Sequence, residues 1–186
     1  MEIKSQIEEN AITISPKQRI RQREKLTKQL VYIGLGSNLQ DPVSQLTTAL
    51  TALANLPNTQ LIKQSSLYIS DSLVEGQPQY INAVACLETS LVPEVFLDYL
   101  QQIENKHGRV RTERWGARTL DLDIILYGNQ QINTERLTIP HPQMALRSFV
   151  LIPLLEIAPA ICLPDGRAVT DLLADCPSQN LQRLSS

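Results

Sequence analysis

Residues 119–127 read TLDLDIILY, and in an extended chain successive side chains point to opposite faces. Leu120, Leu122, Ile124 and Leu126 therefore fall on one side, and Asp121 and Asp123 on the other. Such a strand needs a sheet with one face under helices and the other open to a site. The rest of the chain supplies that sheet. Residues 30–36, LVYIGLG, read as a buried strand closed by glycines. Asp41-Pro42 opens a helix with apolar positions Leu46, Leu50 and Leu53. Two extended runs follow at 59–68 and 79–89, joined by the polar loop SDSLVEGQP. Pro93 opens a second helix with Phe96, Leu97, Leu100 and Ile103 on one side, and Gly108 closes it after Lys106 and His107. Beyond Tyr127 come a Gly128-Asn129 turn, a short hairpin, a loop around Pro140-His141-Pro142 and the apolar stretch FVLIPLLEIAP. The order β-α-β-β-α-β predicts an α+β ferredoxin-like plait, an antiparallel sheet with helices on one face and the site on the other.

With 186 residues, 42% hydrophobic and 19% charged, the chain suits a single domain with its own core. We place a basic extension at 1–29, flexible or helical, the domain at 30–176 and a C-terminal tail at 177–186. The extension carries a net charge of +5 over residues 17–28, read as a solvated arm. Glu2, Glu8 and Glu9 argue against a transit peptide. No apolar run reaches the ~18 residues of a membrane span, so a cytoplasmic protein with no membrane partner is expected. Cys86, Cys162 and Cys176 are too few and too scattered for a disulfide framework or a thiolate zinc site, and His107 and His141 are the only histidines.

The chain-wide charge of −2 hides a local contrast. Residues 106–118 hold Lys106, Arg109, Arg111, Arg114 and Arg118 against Glu113, a net of +4, and lead directly into Asp121 and Asp123. Paired carboxylates repel unless a cation lies between them. Hard oxygen ligands in small number suit Mg²⁺, which keeps substrate phosphates among its ligands. Arginines bind phosphate oxygens in bidentate fashion. Gly108 and Gly116 bracket the loop and let it close over a ligand.

The segment RWGARTLDLDII resembles the signature of the 6-hydroxymethyl-7,8-dihydropterin pyrophosphokinase family. The blocks VYIGLGSNL, QPQYINAV, QIENKHGRVR and ERLTIPHPQMALRSFVLIPLLEIAP extend the likeness over residues 31–165. The resemblance implies diphosphate transfer from ATP to the pterin hydroxymethyl group in folate biosynthesis, with two Mg²⁺. It implies that Asp121 and Asp123 hold the metal, and that Arg109, Arg111 and Arg118 engage the triphosphate while Trp115 helps close the site. Gln101, Glu104, Arg136, His141 and Arg147 fall at its other ATP-contacting positions. Tyr80 and Phe149 would sandwich the pterin, with Asn82 on its edge, Asp121 beside it, Ser70 and Leu73 from the preceding loop, and Asn38 behind the wall. Three departures stand out: a shorter RTERW loop than in some relatives, a 69–77 segment without the family's Pro-Val/Leu-Gly element, and Pro142 in place of an aromatic residue.

Other classes fit less well. Gly34 and Gly36 lack the third glycine of a dinucleotide fingerprint, and no Walker loop exists. An RNA-binding plait needs exposed aromatics on its strands, and the chain has only 5 Tyr, 2 Phe and 1 Trp. A palm-type two-metal enzyme acting on nucleic acid is the nearest enzymatic rival. The expectation is therefore a monomer acting on small molecules, with no nucleic-acid partner.

Overall fold

The structure is a computed structural model that describes residues 27–108 and 116–185. Its main sheet is antiparallel. Strand β1 (Gln29–Ser37) lies between β5 (Asp121–Tyr127) and β4 (Tyr80–Thr89). The far edge of β4 is shared by β2 (Thr59–Gln64) and β3 (Tyr68–Ser70). The extended run expected at 59–68 is thus two strands. Ser65 makes the break: its N–H donates to Val84 O at 2.8 Å while its Oγ accepts from Val84 N–H at 2.9 Å, standing in for a ladder carbonyl.

Helices α1 (Pro42–Ala54) and α2 (Pro93–Lys106) cover one face. Asp41 caps α1 by accepting from Ser44 N–H at 3.3 Å, with Pro42 in the first turn. Gly108, at φ 72°, follows α2 in the left-handed conformation that ends helices. Val31, Ile33 and Leu35 of β1 alternate inward and meet Leu46, Leu53, Phe96, Leu100 and Ile103 there. The edge-on contact of Phe96 with Tyr127, at 6.1 Å between ring centroids, closes one end of this core.

The opposite face is only partly open. The stretch FVLIPLLEIAP forms helix α3 (Ser148–Ile157), followed by α4 (Val169–Asp175). Leu151, Leu154, Val169 and Leu172 pack with Val84, Cys86, Ile125 and Leu126 as a second buried cluster. Helices therefore lie on both faces, and the site occupies the part of the second face that α3 leaves uncovered. Hairpin strands β6 (Ile132–Asn133) and β7 (Thr138–Ile139) and a 3₁₀ turn (Met144–Leu146) lead into α3. Residues placed in the tail form an edge strand, β8 (Leu181–Arg183), paired with β3. Among the described residues, no helix is long and apolar enough to cross a membrane.

Candidate active site

The site is built on the strand alternation of β1, β4 and β5. Asp121 pairs with Gly36 and Asp123 with Gly34, so the acids face a floor made of glycines. A Cβ at Gly36 would lie 3.6 Å from Asn82 Oδ1 and 3.8 Å from Tyr80 Cδ1, and one at Gly34 would lie 3.2 Å from Ile125 Cδ1. The missing side chains leave a cleft of about 370 Å³. A register shift between Tyr32 and Ile33 leaves Ile125 without a partner on β1. This bulge changes the phase of β5. Ile125 and Leu126 join the second cluster and Tyr127 the first, whereas unbroken alternation would turn Leu126 toward α1 and α2.

Charge converges on the two acids. Arg118 is ion-paired with Asp121. Burial works against the charge on Arg118, but Asp121 and Asp123 raise its pKa above the ordinary guanidinium value. Asp123 has Arg147 at 3.5 Å and His141 at 3.7 Å. Burial first, and the neighbouring Asp121 second, push the Asp123 carboxyl up to about 7. Its side chain retains 35% of its exposed surface and lines a concave site. His141 is driven the other way, to about 4, by burial and then by Arg147. Its Nδ1 accepts from Gln143 N–H at 3.1 Å. The neutral ring therefore carries its proton on Nε2, which faces Asp123. Arg147 also stacks over Phe149, 5.9 Å from the ring centroid.

The opposite wall is fixed by amides. Asn82 Nδ2 donates to Ser70 Oγ at 2.9 Å. Buried Asn38 accepts from Arg118 N–H at 2.7 Å and donates to Pro78 O at 3.2 Å, tying the start of the acid strand to the 71–79 loop. Leu73 is 61% exposed at the cleft rim.

Of the residues singled out in the sequence, the cleft brings together Ser70, Leu73, Tyr80 and Asn82 on one side. Arg118, Asp121, Asp123, His141, Arg147 and Phe149 line the other. Arg109, Arg111 and Trp115 lie outside the described residues. Asn38 stands behind the wall, and Gln101, Glu104 and Arg136 do not line the cleft either. Glu104 is 3% exposed, and its Oε1 accepts from Leu122 N–H at 2.8 Å, which fastens α2 to β5. Gln101 is half-buried on the same helix, and Arg136 is paired with Asp98 at 2.6 Å. Val74, Gln77 and Gln143 also line the cleft without having been singled out, because loop residues carry no periodic signal.

Two carboxylates abreast, one with its proton affinity raised by the other, form a donor set that a divalent cation would relieve. Among the described residues, no group of three or more His, Cys, Asp or Glu side chains could hold a metal. As a donor set of two hard carboxylate oxygens, the acid pair is of the kind Mg²⁺ takes, since that ion needs one or two carboxylates and completes its shell with water and substrate phosphate.

A family model described as 7,8-dihydro-6-hydroxymethylpterin-pyrophosphokinase matches residues 32–159. The chain is 52% identical over 157 residues to a 2-amino-4-hydroxy-6-hydroxymethyldihydropteridine pyrophosphokinase of Pseudomonas aeruginosa, covering 84% of this chain and 97% of that relative. A Synechocystis protein of the same name is 45% identical over 147 residues, covering 77% of this chain and 75% of its own. The crystal structure of wild-type Plasmodium falciparum HPPK-DHPS with SDX-DHP matches with a TM-score of 0.65 at 14% identity, over 83% of this chain and 45% of that one. That likeness concerns the fold alone, and this chain spans less than half of the solved chain. The family match and the bacterial relatives span the glycine floor, the acid strand and the turn into α3, and on that ground the chain belongs to the 7,8-dihydro-6-hydroxymethylpterin-pyrophosphokinase family, ATP-using transferases of folate biosynthesis that act on small molecules.

Proposed function

We propose that the cleft binds ATP beside 6-hydroxymethyl-7,8-dihydropterin and transfers the intact β,γ-diphosphoryl group to the pterin hydroxyl, releasing AMP. The observation that carries this reading is the pair Asp121 and Asp123, set abreast on one strand with Arg118, His141 and Arg147 against them on one wall of the cleft. The hydroxyl oxygen forms a bond to the β-phosphorus as the bond from that phosphorus to the α,β-bridging oxygen breaks, the bridging oxygen leaving with AMP and the hydroxyl proton passing to solvent. Such reactions depend on positioning and electrostatics more than on covalent work by the protein. Two Mg²⁺ held by Asp121 and Asp123 would neutralise charge on the bridging and leaving phosphate oxygens.

The protein's own side chains divide the remaining work. Arg118 and Arg147, paired to the acids without ligand, turn their guanidinium donors to phosphate oxygens. Neutral His141 donates from Nε2, adding a hydrogen bond without further positive charge. Tyr80 and Phe149 enclose the pterin ring, and Asn82 meets its edge from a position fixed by Ser70. Asp121 orients the attacking hydroxyl. Arg109, Arg111 and Trp115, on the loop before Arg118, add phosphate donors and exclude water.

The protein mixed with ATP, Mg²⁺ and hydroxymethyldihydropterin should release AMP and pterin diphosphate in equal amounts. Asp123→Ala should lower turnover by about a hundredfold or more, the scale of losing one transition-state charge contact. Near-normal turnover by that variant, or orthophosphate as the product, would overturn the assignment.

A further inference from the structure

Residues 179 and 180, just before β8, lie in a part of the chain beyond the family match at 32–159. Their side chains contact both walls of the cleft. Helix α3 begins without a side-chain cap from its own N-cap residue, Arg147. Gln179 supplies the cap from a distance: its Oε1 accepts from Ser148 N–H at 2.9 Å and from Ser148 Oγ at 2.8 Å. The same amide donates from Nε2 to Leu146 O at 2.9 Å. One side chain thus brackets Arg147 and holds the first turn of the helix that carries Phe149.

The next residue reaches the other wall. Asn180 Nδ2 donates to Asp71 Oδ2 at 3.0 Å, while Asp71 Oδ1 accepts from Gln79 Nε2 at 2.8 Å. Asp71 therefore closes the base of the loop that carries Leu73 and Val74. Gln79 and then Asn180 hold its carboxyl below the usual range. Strand pairing backs the arrangement, with Leu181 opposite Ser70, Gln182 opposite Ile69 and Arg183 opposite Tyr68. At the far end Arg183 donates to Ser66 Oγ at 2.8 Å and faces Glu156 of α3 at 3.4 Å.

We propose that Gln179 and Asn180 are positioning residues that strap the 71–79 loop to the start of α3 and so set the width of the pterin half of the cleft. Adjacent Cα atoms stand about 3.8 Å apart, so the two walls are linked through a single peptide unit rather than through the long path across the sheet. The strap touches neither acid: Asn180 acts on the pterin loop alone, and Gln179 acts on the turn that carries both Arg147 and Phe149. This inference rests on the reading of the cleft as a pterin site.

Asn180→Asp is the sharpest variant, because it keeps the shape and sets a carboxylate against Asp71 on an exposed surface. Gln179→Ala removes the remote cap. In the full chain, each should raise KM for the pterin about threefold to tenfold, the value of about one hydrogen bond, and Asn180→Asp should change KM for ATP less than twofold. Asn180→Gln, which retains the amide donor, should recover most of the loss. Hydrogen exchange read without substrate should quicken in residues 72–78 for Asn180→Asp and at the Ser148 amide for Gln179→Ala. Unchanged exchange, or a loss of kcat with both KM values intact, overturns the strap. If the unmutated protein turns over no pterin, the pterin reading fails, and the exchange rates still decide whether these side chains hold the loop.

Discussion

His141 and Asp123 face each other across 3.7 Å, and the same surroundings push their proton affinities in opposite directions. With Asp123 raised from 3.8 to about 7, the folded protein keeps a proton that the unfolded chain has released through that window. Stability from this group therefore falls as pH rises from about 4 to 7. With His141 lowered from 6.5 to about 4, the unfolded chain takes up a proton that the folded site refuses, so stability rises with pH over that interval. The two slopes oppose each other. Asp123→Asn removes the falling one, so its unfolding free energy in urea should climb more steeply between about pH 4.5 and 6.5 than that of the unmutated protein. Measured without divalent cations, equal slopes would refute a proton-holding Asp123. The identity of both residues was legible in the sequence. The direction of each shift was not, because it depends on burial by β1, α3 and the turn before it.

Strand β5 reads correctly as far as Ile124, since period-two alternation assigns Leu122 and Ile124 to the helix-covered core and the acids to the open face. The bulge at Ile125 then reverses the phase. Its cause is tertiary: Ile125 fills the space above Gly34, and no local turn residue announces it. Glu104 has a similar history. Its place one helical turn from Gln101 carries no sign of burial, yet it is buried and accepts from the backbone of β5. Glu104→Ala would leave Leu122 N–H without that acceptor, next to both acids. Chemical denaturation should show a loss of about 1–3 kcal/mol, the cost of orphaning a buried donor. Turnover should fall with it, because the acid strand loses its tie to α2. Glu104→Gln keeps an oxygen acceptor and should retain most of the stability.

Seen as one folded unit, the protein is a plait with a third layer. The second cluster, built from α3, α4 and the outer face of β4 and β5, seals the back of the cleft and carries Arg147 and Phe149. Leu151 is fully buried within it. Leu151→Ala should cost about 2–5 kcal/mol in thermal or urea unfolding, the range for a deleted core leucine. An unaffected midpoint would mean that this layer is not part of the cooperative core. The sequence read α3 only as an apolar stretch, since a run apolar on most sides has no period to distinguish helix from strand. It read 177–186 as a tail because a three-residue edge strand carries too little pattern to register. The alternation of extended runs with two helices as far as Tyr127, the helix starts at Asp41-Pro42 and Pro93, and the acid pair on an alternating strand follow from local rules of spacing and capping, so residue order alone specifies them. The glycine floor under the acids, the opposed proton affinities of Asp123 and His141, the inward turn of Glu104 and the strap from Gln179 and Asn180 all join residues far apart in the chain. Those features depend on which surfaces meet when the layers pack, which no local pattern encodes.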